Sequence, residues 1–318
     1  MHRDRVKMLL NNGMKFFGLP VLLCLLPLSL WAQGAGPRTN FLTPVGGSSL
    51  SITYQDVDSN FRFGQSDAFD QTELNTNTAV IGYSQRFSLF GRFTQVSLSV
   101  NYSKIDIDLA PTANTDSSNS RQLTKGFGDP GASIRFGLVG APALNPSDWR
   151  KYKKRFQLYA KFGLFIPLGN YTNQRRINTG YNRWGYQLSL PMVIPLEKAQ
   201  RKTFLELTPQ VNYFADNTDP FGNINRLSQD PLYSIELQVS HQFTPKFWTS
   251  VGFEFLNGGR TSADGVPNNN KLNQWFGEMA MGYIVNSKLA ILGSYGRIFQ
   301  QKNMARGEMF RVRLATKF

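Results

Sequence analysis

The chain has 318 residues, 41% of them hydrophobic, with one cysteine, two histidines and a formal net charge of +14. The single cysteine, Cys24, lies in an N-terminal apolar run, so the rest of the chain excludes a disulfide framework and a cysteine-based metal site. After that run, no segment stays apolar for the roughly 18 residues that a helical membrane span needs.

The N-terminus has the organisation of a secretory signal peptide. Four basic residues precede an apolar run from Phe16 to Leu30, and Ala32 provides a small residue at the expected cleavage position. Pro20 and Pro27 interrupt the run, which is also short for a transmembrane helix. We therefore expect cleavage after Ala32 and export of the chain.

Three parts of the chain are predicted: a signal peptide over residues 1–32, an N-terminal segment over 33–47 and a barrel domain over 48–318. Removal of four basic and one acidic residue with the signal peptide changes the net charge from +14 to +11. An exported chain has little access to nucleic acid, so we expect no nucleic-acid partner despite the basic balance.

From residue 48 onward, apolar residues recur at every second position, between stretches rich in Gly, Asn, Asp and Pro. This period is typical of a strand with one apolar face and one polar face. About twelve strands are predicted: Ser48 to Val57, Asn77 to Phe87, Phe93 to Ile105, Gly131 to Val139, Arg155 to Leu168, Asn182 to Leu196, Thr203 to Ala215, Pro231 to Phe243, Phe247 to Leu256, Leu272 to Val285, Lys288 to Gln300 and Glu308 to Phe318.

Short and long connections alternate between these strands. The short ones are Ser88 to Arg92, Glu197 to Lys202, Thr244 to Lys246 and Asn286 to Ser287. The long ones are Asp58 to Thr76, Asp106 to Pro130, Gly169 to Tyr181, Asp216 to Asp230 and Asn257 to Lys271, and Gly140 to Lys154 is long where a short turn is due. Membrane barrels have short periplasmic turns and longer outer loops, whereas a β-sandwich has no reason to alternate in this way. We predict an all-β, transmembrane, antiparallel up-and-down β-barrel.

The last strand agrees with this prediction. Phe310, Val312 and Leu314 alternate with basic residues, and the chain ends on Phe318. This ending resembles the C-terminal aromatic signal of bacterial outer-membrane barrels. The expected partners are therefore outer-membrane lipid and the barrel assembly machinery, and the expected location is the bacterial outer membrane. Closure requires pairing with Ser48 to Val57, because an open sheet edge in lipid leaves backbone groups unsatisfied.

Several short motifs occur in a characteristic order in the C-terminal part of the chain. They are Gly126-Phe127-Gly128-Asp129-Pro130, Pro167-Leu168-Gly169-Asn170-Tyr171, Ile177-Asn178-Thr179-Gly180-Tyr181-Asn182-Arg183-Trp184, Asp216-Asn217, Gln229-Asp230-Pro231-Leu232-Tyr233 and Gly258-Gly259-Arg260-Thr261. In these motifs the chain resembles the family known as "MetA-pathway of phenol degradation", or simply "transporter". The resemblance implies passage of small aromatic or hydrophobic compounds across the outer membrane.

Catalytic chemistry is not expected. His241 is the only histidine after the signal peptide, and Phe243 stands where outer-membrane hydrolases have a serine. A structural, interfacial histidine is the favoured interpretation. Asp216, Asp219 and Asp230 could hold Ca²⁺ as a loop cluster, but solvated turn residues are the favoured interpretation. The prediction is a protein without cofactor, metal or enzymatic activity.

The strand period also predicts which charged side chains face the lumen. Four acidic and four basic residues share the inward parity: Glu206, Glu236, Glu254, Glu278, Arg135, Lys161, Arg311 and Arg313. We hypothesise that an acidic arc faces a basic arc across a narrow, porin-like pore for small-molecule solutes. Buried salt bridges that merely fill the barrel are one alternative. Another is a structural or adhesive barrel whose long loops bind partners, and a membrane-embedded hydrolase is the third.

Overall fold

The structure is a computed structural model, and it describes residues 36–61, 72–108, 121–197, 202–302 and 306–318. The predicted signal peptide lies outside these residues. The strands and the helix are β1 (Ser48–Phe61), β2 (Thr72–Leu89), β3 (Arg92–Asp108), β4 (Arg121–Phe127), β5 (Gly131–Val139), α1 (Pro146–Lys151), β6 (Gln157–Phe165), β7 (Gly185–Ser189), β8 (Met192–Pro195), β9 (Thr203–Phe214), β10 (Leu227–Gln229), β11 (Leu232–Gln242), β12 (Phe247–Gly258), β13 (Thr261–Ala263), β14 (Val266–Pro267), β15 (Leu272–Ile284), β16 (Leu289–Lys302) and β17 (Arg306–Lys317).

Twelve strand positions close into a ring in which every pairing is antiparallel. β4 and β5 share the fourth position, and β7 and β8 share the sixth. The ring closes where β1 pairs with β17, in a register that runs from Ser49 opposite Lys317 to Asn60 opposite Arg306. The predicted 12-stranded barrel and the predicted pairing of the first and last strands are confirmed.

Alternation along the strands separates two surfaces. Apolar side chains on the outer parity are exposed, including Leu98 at 54%, Ile235 at 50% and Met279 at 68%. The inner parity carries serine, threonine, glutamine and charged side chains, most of them buried. A water-soluble protein rarely exposes so large an apolar belt, whereas lipid covers such a belt in an outer-membrane barrel. The chain is therefore a bacterial outer-membrane β-barrel.

In the described part of the chain, no helix is long and apolar enough to cross a membrane.

Two predicted elements differ from the observed ones. The loop predicted from Asp106 to Pro130 contains β4. This strand pairs with β3 and continues the line of β5, from which residues 128–130 separate it. The predicted strand from Asn182 to Leu196 is divided into β7 and β8 at Pro191, which has no N–H to donate to the ladder. The Pro191 carbonyl still accepts a hydrogen bond from the Tyr159 N–H at 2.9 Å, so the two pieces keep one strand direction.

The long connection from Gly140 to Lys154, between β5 and β6 on the periplasmic side, contains the short helix α1. Asn145 caps it, because its side-chain oxygen accepts a hydrogen bond from the Asp148 N–H at 2.9 Å, and Pro146 begins the first turn. The connection leaves β5 through Gly140, whose φ of +61° is strained for other residues. A Cβ at Gly140 would lie 1.8 Å from the Phe156 carbonyl oxygen, so the close approach of the two backbones requires glycine.

A second, small sheet lies among the extracellular loops. It consists of β10, β13 and β14. Asp264 lies in the turn between β13 and β14 and accepts hydrogen bonds from the N–H groups of Asn225 and Arg226. These contacts order two of the long loops predicted from the sequence.

Candidate functional site in the barrel lumen

The N-terminal segment enters the periplasmic end of the lumen. The Arg38 backbone N–H donates to Glu206 Oε1 at 2.7 Å, and the Leu42 N–H donates to Gln157 Oε1 at 3.3 Å. Both acceptors are buried side chains on the inner face of the barrel. Residues 36–45 therefore act as a plug, and we use that name for them below.

Arg38 fixes the plug to the barrel wall through its side chain. Its guanidinium donates to Ser240 Oγ at 3.1 Å and to Gln242. The same group lies over the ring of Trp248 at 4.7 Å and near the rings of Phe41 and Phe204. Guanidinium–aromatic contacts of this kind stabilise a desolvated arginine.

The plug also packs into an apolar cluster. One cluster of buried side chains joins it to the barrel and to the periplasmic connection: Leu42, Phe93, Ala141, Tyr159, Val193 and Phe204. From α1, Trp149 Nε1 donates to the Leu42 carbonyl at 3.0 Å. The Lys154 ammonium lies 4.8 Å from the Phe204 ring centre, and burial lowers the pKa of this lysine, with a smaller effect from Arg38. The long periplasmic connection thus packs against the plug and stabilises its position in the lumen.

A cavity of about 400 Å³ adjoins the plug in the middle of the barrel. Thr39 and Asn40 of the plug form part of its wall. Most of the remaining wall consists of serine, threonine, glutamine and glycine from the inner faces of the strands. The small side chains leave open space, and the polar ones offer hydrogen bonds to a solute.

The structure places all eight charged side chains of the predicted lumen set on the inner parity of the barrel. Five of them border the cavity: Arg135, Lys161, Glu236, Arg311 and Arg313. The other three are buried at 6% exposure or less: Glu206, Glu254 and Glu278. The period of two is enough to predict these orientations.

A close ion pair connects the predicted acidic and basic arcs. Glu278 Oε1 lies 3.4 Å from Arg311 Nη1, and both side chains are 5% exposed. Glu206 instead accepts the hydrogen bond from the plug at Arg38. The two arcs thus meet at Glu278 and Arg311, and the plug contacts the acidic arc at Glu206.

The residues considered for catalysis or metal binding have other contacts. His241 Nδ1 lies 2.8 Å from Thr203 Oγ1 at the periplasmic edge, and its ring meets Phe243 edge-on. Among the loop aspartates, Asp216 pairs with Arg226, and Asp230 pairs with Arg260 at 3.1 Å. These carboxylates thus lie against cationic side chains.

The sequence motifs that carry the family resemblance meet at the extracellular end of the barrel. Asp129 is 1% exposed and accepts hydrogen bonds from the Gly169 N–H at 2.8 Å and the Tyr181 N–H at 2.9 Å. Asn170 accepts from the Phe127 N–H at 2.6 Å. A Cβ on Gly169 would lie 2.7 Å from the Gly180 Cα atom, so two glycines are required where these backbones touch.

This contact network continues into the next motifs. The Asn182 amide donates to Asn217 at 3.0 Å, and Arg183 donates to Gln229. The Gln229 amide in turn donates to the Gly259 carbonyl at 3.1 Å. The six motifs therefore form one structure, which we call the motif cluster.

A model of the family described as "Putative MetA-pathway of phenol degradation" matches residues 66–314. This chain belongs to that family. The resemblance predicted from the motifs is confirmed, and within the MetA-pathway fold these motifs form the motif cluster. No match is found among curated proteins.

Solved structures share the barrel fold of this MetA-pathway protein. The COG4313 outer membrane channel from Pseudomonas putida F1 is similar with a TM-score of 0.73 at 20% identity, over 90% of this chain and 100% of that chain. The β domain of the Bordetella autotransporter BrkA has a TM-score of 0.54 at 12% identity, over 86% and 99% of the two chains. The transport unit of the autotransporter AIDA-I from Escherichia coli has a TM-score of 0.52 at 9% identity, over 93% and 96%. At these identities the likeness establishes the fold.

Sequence reasoning did not identify Arg38 as a site residue. The segment from 33 to 47 has no strand or helix period, and its described part contacts residues far away in sequence, such as Glu206 and Gln157. The local sequence signal for this site was the short spacing between Arg38 and the aromatic residue Phe41. It does not by itself indicate an arginine enclosed by aromatic rings.

Proposed function

We propose that this protein is a passive outer-membrane channel for small aromatic or hydrophobic solutes. The observation that carries the proposal is the polar cavity inside a closed barrel, bounded on the periplasmic side by the plug. The description of the matched family, which refers to phenol degradation, and the channel similar in fold support it. A solute with an aromatic ring and one polar group could bind where small side chains provide space and hydroxyl groups provide hydrogen bonds.

The plug makes the proposed passage narrow. Lumens of eight strands are filled by side chains, and those of 16 or more hold an open aqueous channel, so a 12-stranded lumen lies between the two. Here residues 36–45 occupy part of that intermediate space. We therefore expect a small conductance and selection for compact solutes rather than general permeability.

The test is to reconstitute the purified protein in planar bilayers and in liposomes. Discrete conductance steps, and liposome swelling with small aromatic solutes but not with larger sugars, are expected. A protein that opens no channel and passes no solute would contradict the proposal. Surface binding that is lost on deletion of the loop from 259 to 271, with permeability absent in both proteins, would favour the adhesive alternative.

Replacing both Arg311 and Arg313 with alanine is expected to make the channel more cation-selective. The change removes two positive charges from the cavity wall and leaves Glu278 without the ion pair to Arg311. The ratio of K⁺ to Cl⁻ permeability should rise about two- to threefold, as fixed charges in a narrow lumen set ion preference. The reversal potential under a KCl gradient measures this ratio.

The matched control removes two cations from the exposed periplasmic turns, in the double variant Lys246→Ala and Lys288→Ala. Exposed turn charges are screened by salt, so its reversal potential should stay close to that of the original protein. An unchanged potential in the arginine variant would show that these residues do not line the ion path.

A further inference from the structure

Two cationic side chains face each other across neighbouring strands at the cavity. Arg135 on β5 is the register partner of Lys161 on β6, and both side chains border the cavity. Like charges directly opposite each other on one face of a sheet repel and destabilise the pair. The barrel nevertheless places these two side by side in a lumen that is largely shielded from bulk water.

Neither cation forms a close ion pair with a side chain that the structure describes. The Arg135 guanidinium donates to neutral acceptors: the Thr39 carbonyl and Asn40 Oδ1, both at 3.1 Å, and Gln95 Oε1 at 2.8 Å. Among the described residues, no carboxylate oxygen lies within 4.0 Å of a side-chain nitrogen of Arg135 or Lys161. The described side chains also provide no hydrogen bond to the Lys161 ammonium.

The other residues that line the cavity do not compensate the positive charge of Arg135 and Lys161. Four cationic side chains line it against one carboxylate, that of Glu236. Glu236 accepts a hydrogen bond from Gln238 at 3.4 Å. The acidic partner of Arg311 is Glu278, which lies outside the set of cavity-lining residues. The residues that line the cavity therefore carry more positive than negative charge, and Arg135 and Lys161 are two of the four cations.

We propose that Arg135 and Lys161 form a binding site for the carboxylate of a small organic acid. A carboxylate between them would relieve the repulsion and accept charge-assisted hydrogen bonds from the Lys161 ammonium. The wall beside them is made of small residues, including Ser133, Gly163 and Ser189, which leave room for the ring or chain of the acid. This inference rests on the proposed channel function and names its substrate class as organic anions.

The test measures binding of benzoate to the purified full-length protein by equilibrium dialysis, with benzyl alcohol as the neutral probe. Benzoate should bind at least tenfold more tightly than benzyl alcohol. Lys161→Met removes the charge and keeps a chain of similar length, so it should weaken benzoate binding about tenfold or more. Lys161→Arg should retain binding, and Glu236→Gln should strengthen it, because the change removes the one negative charge of the wall.

Lys104→Met is the matched control, since Lys104 is exposed on the outer parity of β3 and should not affect benzoate binding. The heat-dependent shift in electrophoretic mobility shows that each variant is folded. Equal binding of benzoate and benzyl alcohol, or an unchanged benzoate affinity in Lys161→Met, would overturn the inference. Either result could occur in a protein that conducts and passes neutral solutes, so the failure of this inference is distinguishable from that of the proposed function.

Discussion

A chain lacking residues 36–45 is expected to conduct about ten times more current than the intact barrel, because the lumen of a 12-stranded barrel is wide enough to conduct once it is emptied. The plug fills the periplasmic end of that lumen and is bound to it at Arg38 and Leu42. Single-channel recording in planar bilayers measures the change. The folded fraction should stay high, because none of the barrel ladders includes these residues.

Arg38→Ala should give a partial form of the same effect. It removes the side-chain hydrogen bonds to Ser240 and Gln242 and the contact with Trp248, which together stabilise the docked plug by about 3 kcal/mol. The expected record shows frequent brief openings to the level of the deletion variant.

Thr43→Ala is the matched control within the plug, because the Thr43 hydroxyl is buried and has no hydrogen-bond partner among the described residues. Its conductance should match that of the unchanged protein. A deletion variant that conducts no more than the intact barrel would show that the plug does not limit the passage.

Asp129→Ala is expected to release the motif cluster from the barrel. The two N–H groups of Gly169 and Tyr181 would lose a buried carboxylate acceptor, at a cost of about 3 kcal/mol. Trypsin cleavage after Arg175, an exposed residue in the same loop, should then become much faster. Asp129→Asn keeps one acceptor oxygen and should give an intermediate rate.

Asp264→Ala is the control for this experiment. Asp264 also accepts hydrogen bonds from two backbone N–H groups, but it is exposed, so water can replace it at a cost below about 1 kcal/mol. If the two alanine variants were cleaved at Arg175 at equal rates, burial of the Asp129 contacts would not be what holds the loop.

The barrel and its lumen-facing charges could be predicted because both depend on a local period of two. Arg135 and Lys161 face inward for the same reason that Leu98 faces outward. Two further features could have been predicted because their signals are also local. Pro191 indicates the break between β7 and β8, and Asn145 followed by Pro146 indicates the start of α1.

The plug and the motif cluster depend on contacts between distant parts of the chain. Nothing in the neighbourhood of Arg38 indicates that Glu206 and Ser240 will be its partners. Asp129 belongs to a recognisable motif, yet its role depends on two glycine-containing motifs of the β6–β7 loop that fold back onto it. Such positions become apparent only when strand order brings the segments together.

The register between β1 and β17 has a consequence for how the barrel assembles. The residues joined there, from Ser49 with Lys317 to Asn60 with Arg306, are separated by most of the chain. Contacts so distant in sequence form slowly, and β1 keeps an unpaired edge until the last strand has been made. If β17 paired with β1 one residue out of register, the side chains of Arg311 and Arg313 would face the lipid instead of the lumen. This exposure costs about 2–4 kcal/mol for each arginine near the midplane. Arg311 and Arg313 therefore disfavour closure with β17 displaced by one residue.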